Sequence, residues 1–98
     1  MRQVVWNELA KADYFDNIDY LLGKWTTREA QNFIDEVDEI IFILKQGNVE
    51  YQETDYPGIR RCVLRSQVTI FYRETDKQSV ELLRFWNNYQ DDGNLKFR

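Results

Sequence analysis

Apolar residues recur at helical spacing in the first half of the chain and at strand spacing in the second. Ala30, Phe33, Ile34, Val37, Ile40, Ile41 and Leu44 form one stripe at i, i+3, i+4 and i+7, the strongest helix signal present. Thr26-Thr27-Arg28-Glu29 has the Thr-x-x-Glu spacing of a capping box before it, and Gln46-Gly47-Asn48 ends it. An earlier helix is predicted from Glu8 to Leu22, with Asn7 as N-cap and Gly23 as stop. Its apolar face is read from Phe15, Ile18 and Leu22, with Ala12, Tyr14 and Leu21 beside them. Gln3-Val4-Val5-Trp6 is short and apolar, and reads as an opening strand.

The second half alternates. Residues 50–53 form a weak extended segment, and Tyr56-Pro57-Gly58 is a turn. Ile59–Arg65 and Val68–Glu74 read as a β-hairpin around a two-residue turn at Ser66-Gln67. A polar loop leads to a last strand, Ser79–Trp86, and residues 87–98 are a polar tail with isolated Leu95 and Phe97. Pairing across a two-residue turn sets Arg60 opposite Arg73, Cys62 opposite Phe71 and Leu64 opposite Thr69. Val68, Ile70 and Tyr72 are the more apolar row and are expected to face the helices together with Ile59, Arg61, Val63 and Arg65. Arg60, Cys62, Leu64, Thr69, Phe71 and Arg73 would then face outward. The order β-α-α-β-β-β-β predicts an α+β fold: a helical hairpin on a mostly antiparallel sheet whose other face is open.

Composition narrows the chemistry. Ninety-eight residues with 43% hydrophobic and 15% aromatic content are expected to fold as one domain over residues 1–98. No apolar run reaches the length of a membrane span and the start lacks a signal-peptide pattern, so a cytoplasmic protein is expected. The chain has no histidine and one cysteine, Cys62. That excludes an internal disulfide, Cys/His zinc centres, and Ser-His-Asp or Cys-His nucleophiles. No cofactor and no metal site is expected. The acids of Asp35, Glu36, Asp38 and Glu39 read as a solvated helix face.

Charge is unevenly spread. Residues 1–50 hold five Lys/Arg against ten Asp/Glu, whereas residues 51–98 hold eight against seven. The stretch Ile59–Arg73 carries Arg60, Arg61, Arg65 and Arg73 and no acid, in a chain of net charge -4. Guanidinium groups grip carboxylates and phosphates in a bidentate fashion, so the hairpin points to an anionic partner, nucleic acid or an acidic protein segment. Arg84, between apolar residues of the last strand, joins this anion-binding set or simply pairs with Glu81 or Glu74. Solvated strand positions that protect a sheet edge are the plainer reading of the same arginines. Trp86 reads as the edge of a core. Tyr89, in the polar tail, is the better stacking or proton-transfer candidate.

Several stretches together resemble the RelE/ParE superfamily of bacterial toxins from type II toxin–antitoxin modules. Val4-Val5-Trp6 with the acidic helix after it resembles that family's opening. The capped 26–44 helix is similar to its second helix. Val68–Arg73 and Val80–Asp91 resemble its two signature strands, so the likeness covers about residues 3–95. The resemblance implies a toxin of two antiparallel helices on a curved, mostly antiparallel sheet, neutralised by a cognate antitoxin. A homodimer and a heterotetramer with the antitoxin both stay open. Two activities occur in the superfamily: RelE-like members cleave mRNA on the ribosome with Arg, Lys and often Tyr, and ParE-like members inhibit DNA gyrase.

The chain departs from the RelE-like pattern. Thr69 stands at the strand position of an outward catalytic arginine, Asn88 or Tyr89 stands where a basic residue is usual, and no lysine lies between Gly47 and Arg60. Arg60, Arg73 and Arg84 would supply charge and Tyr89 a proton, but no base is apparent. The expected function is therefore a toxin that binds an essential machine such as gyrase. The alternatives are a ribosome-dependent endoribonuclease, or a degenerate member that only binds its antitoxin.

Overall fold

Asn7 opens the first helix in the computed structural model, which describes residues 1–97. Its side-chain oxygen accepts from the backbone N–H of Ala10 at 2.8 Å, and α1 runs Glu8–Lys24. Gly23 does not end this helix, which continues to Lys24 and closes where the Trp25 N–H donates to the Leu21 carbonyl. Thr26 caps α2 (Thr27–Gln46) by accepting from the Glu29 N–H, and Gly47 ends it in the left-handed region at φ 77°. The expected stripe of α2 faces inward: Ala30, Phe33, Val37 and Leu44 are buried, and Ile34, Ile40 and Ile41 pack against them.

The five strands are β1 (Gln3–Trp6), β2 (Gln52–Glu53), β3 (Ile59–Val63), β4 (Val68–Asp76) and β5 (Ser79–Asn87). They form one sheet in the order β1-β5-β4-β3-β2. β1 runs parallel to β5 and the other pairs are antiparallel. The helices cover one face, where Val68, Ile70, Tyr72, Val80, Leu82 and Phe85 meet the α2 stripe. The α+β order read from the sequence is the order found.

The hairpin register corrects the expectation. Leu64 N–H bonds to Val68 O at 2.8 Å, so three residues, Arg65-Ser66-Gln67, make the turn, and Gln67 takes a left-handed φ of 65°. This is the three-residue loop in which a turn is followed by a left-handed residue. Cys62 then lies opposite Ile70, Arg60 opposite Tyr72 and Ile59 opposite Arg73. A slip of one residue exchanges the faces of β3. Cys62 and Leu64 are buried on the helix side and Arg60 lies beside them at the rim. Arg61 and Val63, expected inside, are exposed.

The inner face of α1 is a second correction. Ala10, Tyr14, Asn17 and Leu21 turn inward, whereas Phe15 (62% exposed) and Leu22 (50%) face out. The cause lies at the edge of β5. β1 accompanies β5 only as far as Leu82, whose carbonyl accepts from the Asn7 N–H. Beyond it, α1 side chains replace the missing strand. Phe85 N–H donates to Asp13 Oδ2 at 3.1 Å, and Asn17 Nδ2 donates to Phe85 O at 3.0 Å. Buried backbone groups must find partners. Meeting these two rotates Asp13 and Asn17 toward the sheet and Phe15 away from it.

Two outcomes follow. Gln67→Gly is expected to raise stability by about 0.5–1 kcal/mol, because glycine meets a left-handed φ without Cβ strain. A urea midpoint that falls or stays put would count against the strain. Asp13→Ala is expected to lower stability by about 3 kcal/mol, since it strands both the Phe85 N–H and the guanidinium of Arg84. Asp13→Asn, which keeps an acceptor, should lose less in the same urea titration.

Candidate functional site

The arginines expected to act together are spread over separate parts of the molecule. Arg60 sits on the helix-side rim of β3. Its Nη1 donates to Tyr51 O at 2.8 Å, and its guanidinium lies 3.5, 3.4 and 3.9 Å from Glu50, Glu53 and Glu74. Arg2 also binds Glu74, at 2.6 Å. Arg73 is on the outer face, with Nε and Nη2 both 2.8 Å from Glu81 Oε1. Arg84 leaves β5 at an irregularity where Phe71 pairs with Arg84 but Tyr72 with Leu82, so Leu83 is an extra residue. It grips Asp13 with two bonds, Nε to Oδ2 at 2.6 Å and Nη2 to Oδ1 at 3.0 Å, while Nη1 donates to Lys96 O. Its guanidinium carbon stands 5.0 Å over the ring of Trp86.

Arg61 and Arg65 differ from these. Arg61 donates from Nε to the neutral Gln52 Oε1 on the outer side of the sheet. The backbone N–H of Arg65 donates to Glu36, and its side chain is exposed at the β3–β4 turn. Among the described residues neither guanidinium forms an ion pair, whereas Arg60, Arg73 and Arg84 each do. The candidate proton donor Tyr89 is 73% exposed. It borders a cleft shared with Tyr20, Trp25, Arg65 and Gln67, away from Arg60 and Arg73.

Thr69 and Asn88, two of the residues named as departures from the RelE-like pattern, meet. Thr69 lies on the outward face as expected but is only 5% exposed, and its Oγ1 donates to Asn88 Oδ1 at 2.7 Å. The two thus form a neutral hydroxyl–amide pair. Two phenols on the helix side of the sheet are poor acids. Burial, and next the neighbouring Cys62 and Tyr72, push Tyr51 up to about 12. Burial also raises Tyr72, whose hydroxyl accepts from the Tyr51 N–H. Cys62 is pushed up to about 11, first by burial; Tyr51 opposes this and the charge of Glu36 adds to it. Its thiol is a core group and not a nucleophile.

Asp13 and the pair Leu95/Phe97 escaped sequence reasoning as contributors here. Asp13 lies in a helix start full of acids, and nothing local marks it as the partner of Arg84. Leu95 and Phe97 carry a weak signal, two apolar residues one apart in a polar tail. They fold back on Phe71, Leu83 and Trp86 across the outer sheet face. Among the described residues no cluster of His, Cys, Asp and Glu has metal-binding geometry, and no helix is long and apolar enough to cross a membrane.

Comparison with known proteins agrees with this architecture. The family model described as the ParE toxin of the type II toxin–antitoxin system, parDE, matches residues 4–91. Among solved structures, a chain of a chromosomal ParDE toxin–antitoxin system from P. aeruginosa superposes with a TM-score of 0.75 at 19% identity, covering 89% of this chain and 96% of that one. A copper-bound L66S mutant toxin from Helicobacter pylori gives a TM-score of 0.62 at 18% identity, covering 91% and 97%. No curated protein matches.

The raised thiol predicts a pH dependence. A folded-state value of about 11 against an ordinary 9.0 means that the unfolded chain releases its proton first. The folded state is therefore unaffected below pH 8 and loses stability as pH rises from about 9 toward 11. Cys62→Ala should flatten that part of the urea-stability profile, whatever its cost at neutral pH. An unchanged slope would place the loss elsewhere, on the tyrosines.

Proposed function

The chain belongs to the ParE toxin family of type II toxin–antitoxin systems, and from that footing we propose that it stops growth by binding an essential cellular machine, DNA gyrase being the first to test, and not by cutting RNA. The observation that carries this reading is the neutral pair of buried Thr69 with exposed Asn88, where the RelE-like pattern would set a catalytic arginine at Thr69 and a basic residue at Asn88 or Tyr89. Cleavage next to a 2′-hydroxyl needs a base to take its proton and cations facing the phosphate. Here Arg60, Arg73 and Arg84 already face carboxylates, the buried phenols hold their protons, and the chain has no histidine.

Neutralisation by a cognate antitoxin is the second part of the proposal. Phe15, Leu22 and Trp25 leave α1 and its end with exposed apolar surface of the kind an amphipathic partner segment buries. Arg61 and Arg65, which form no ion pair among the described residues, are the cations for its acids. Arg60, held by three carboxylates, and Arg73, paired with Glu81, are not.

Inducing the chain without its antitoxin is expected to arrest growth while primer extension shows intact mRNA, and the purified chain should inhibit supercoiling by gyrase. Codon-phased cuts that need active translation would overturn this in favour of the endoribonuclease. Absence of arrest would leave a member that only binds its antitoxin. Arg61→Glu with Arg65→Glu should weaken antitoxin binding about tenfold, and Arg73→Glu much less, measured by titration calorimetry.

A further inference from the structure

A cleft of about 230 Å³ opens between the α1–α2 junction and the β3–β4 turn. Tyr20 and Trp25 line it from the helices and Tyr89 from the segment after β5, so three aromatic side chains border one small space. Sites for drug-sized ligands run to ~300–1,000 Å³, so this one suits a smaller molecule with a single large side chain.

Four polar groups of the same cleft lack partners. Asn17 is 6% exposed, and its Nδ2 donates to both Asp13 O and Phe85 O. Those two carbonyls fix the amide orientation, and Oδ1 is left with no donor among the described residues. Ser66 Oγ is buried and likewise unmatched among them. Arg65 and Glu29 are exposed, and neither forms an ion pair with the other or with any described residue. Buried polar groups are rarely left unmatched in a folded chain. Here a cation and a hydroxyl, an acid and an amide oxygen, all line one aromatic cleft.

We propose that this cleft binds a free α-amino acid with a large apolar side chain. Its carboxylate is held by Arg65 and the Ser66 hydroxyl, and its ammonium by Glu29 and Asn17 Oδ1. The side chain lies among Tyr20, Trp25 and Tyr89. The two free charges of opposite sign select this class. A ligand of single charge leaves Arg65 or Glu29 unmatched, and a residue inside a peptide brings neither an ammonium nor a main-chain carboxylate. Trp25 and Arg65 also belong to the surface proposed above for the antitoxin. The amino acid site stands whether or not that proposal holds, because its test uses the chain alone.

The ¹⁵N-labelled full chain makes the test, with L-phenylalanine and L-leucine as probes. The indole N–H signals of its three tryptophans are read by NMR, and W25F assigns Trp25. Either amino acid should move the Trp25 signal saturably and leave Trp6, packed on the core, in place. N-acetylphenylalanine, phenylalaninamide and glycine each lack one recognised group and should bind at least about tenfold more weakly. Glu29→Gln and Arg65→Gln, at exposed positions, should each weaken phenylalanine about tenfold. Glu29→Gln should nevertheless bind N-acetylphenylalanine as the unaltered chain does, because the charge it met is already gone. No saturable Trp25 response, or equal affinity for free and capped phenylalanine, would overturn the proposal. So would a site that tolerates only one of the two caps, which would assign the cleft to a chain terminus instead.

Discussion

The structure depends on how β5 is closed along its free edge. β5 pairs with β1 on one side and β4 on the other, and its second half has no strand beside it. Asp13 and Asn17 supply the missing acceptor and donor for Phe85, and Asp13 at the same time holds Arg84. One carboxylate therefore ties a helix to a sheet edge and neutralises the cation that the irregularity of β5 turns toward it. The orientation of α1, the packing of Tyr14 against Trp6, Phe33 and Phe85, and the outward facing of Phe15 all follow from that bond set. A network so satisfied is specific as well as stabilising, because a partly satisfied one in a buried place is costly.

The same frame explains why a chain rich in arginine does not assemble a cationic site. In an acidic protein each inward or rim arginine meets a carboxylate during folding, and a bidentate or multiply held guanidinium is not free for a substrate phosphate. Arg60 among Glu50, Glu53 and Glu74 is the clearest case. What remains outward at Arg61 and Arg65 is modest charge, beside exposed aromatic and aliphatic side chains.

Local signals were legible in the sequence and relational ones were not. Asn7, Thr26 and Gly47 announce helix ends through their own side-chain or backbone chemistry, and the α2 stripe announces its buried face by period. The β3 register failed because a left-handed turn residue is usually Gly or Asn, and here it is Gln67, with no mark of its φ. The α1 face failed because polar Asn17 outranked Phe15 for burial, a choice made by the edge of a strand 68 residues away. Fold and family were visible in element order. The distribution of the arginines was not, since Asp13 and Arg84 meet across 71 residues. Thr69 and Asn88 were each visible as departures, and only folding shows that they bond to each other.

The pairing of β1 with β5 bears on how the protein comes into being. β1 touches no other strand, and its partners Ser79–Leu82 lie near the other end of the sequence. During synthesis the helical hairpin leaves the ribosome first, with Phe33, Val37 and Leu44 lacking the sheet they pack on. Such non-local pairing is slow to form because the loop between the strands must close before any contact rewards it. The folded body is thus withheld until residues 79–82 have been made, which leaves an interval in which the helical hairpin exists without the sheet it packs on.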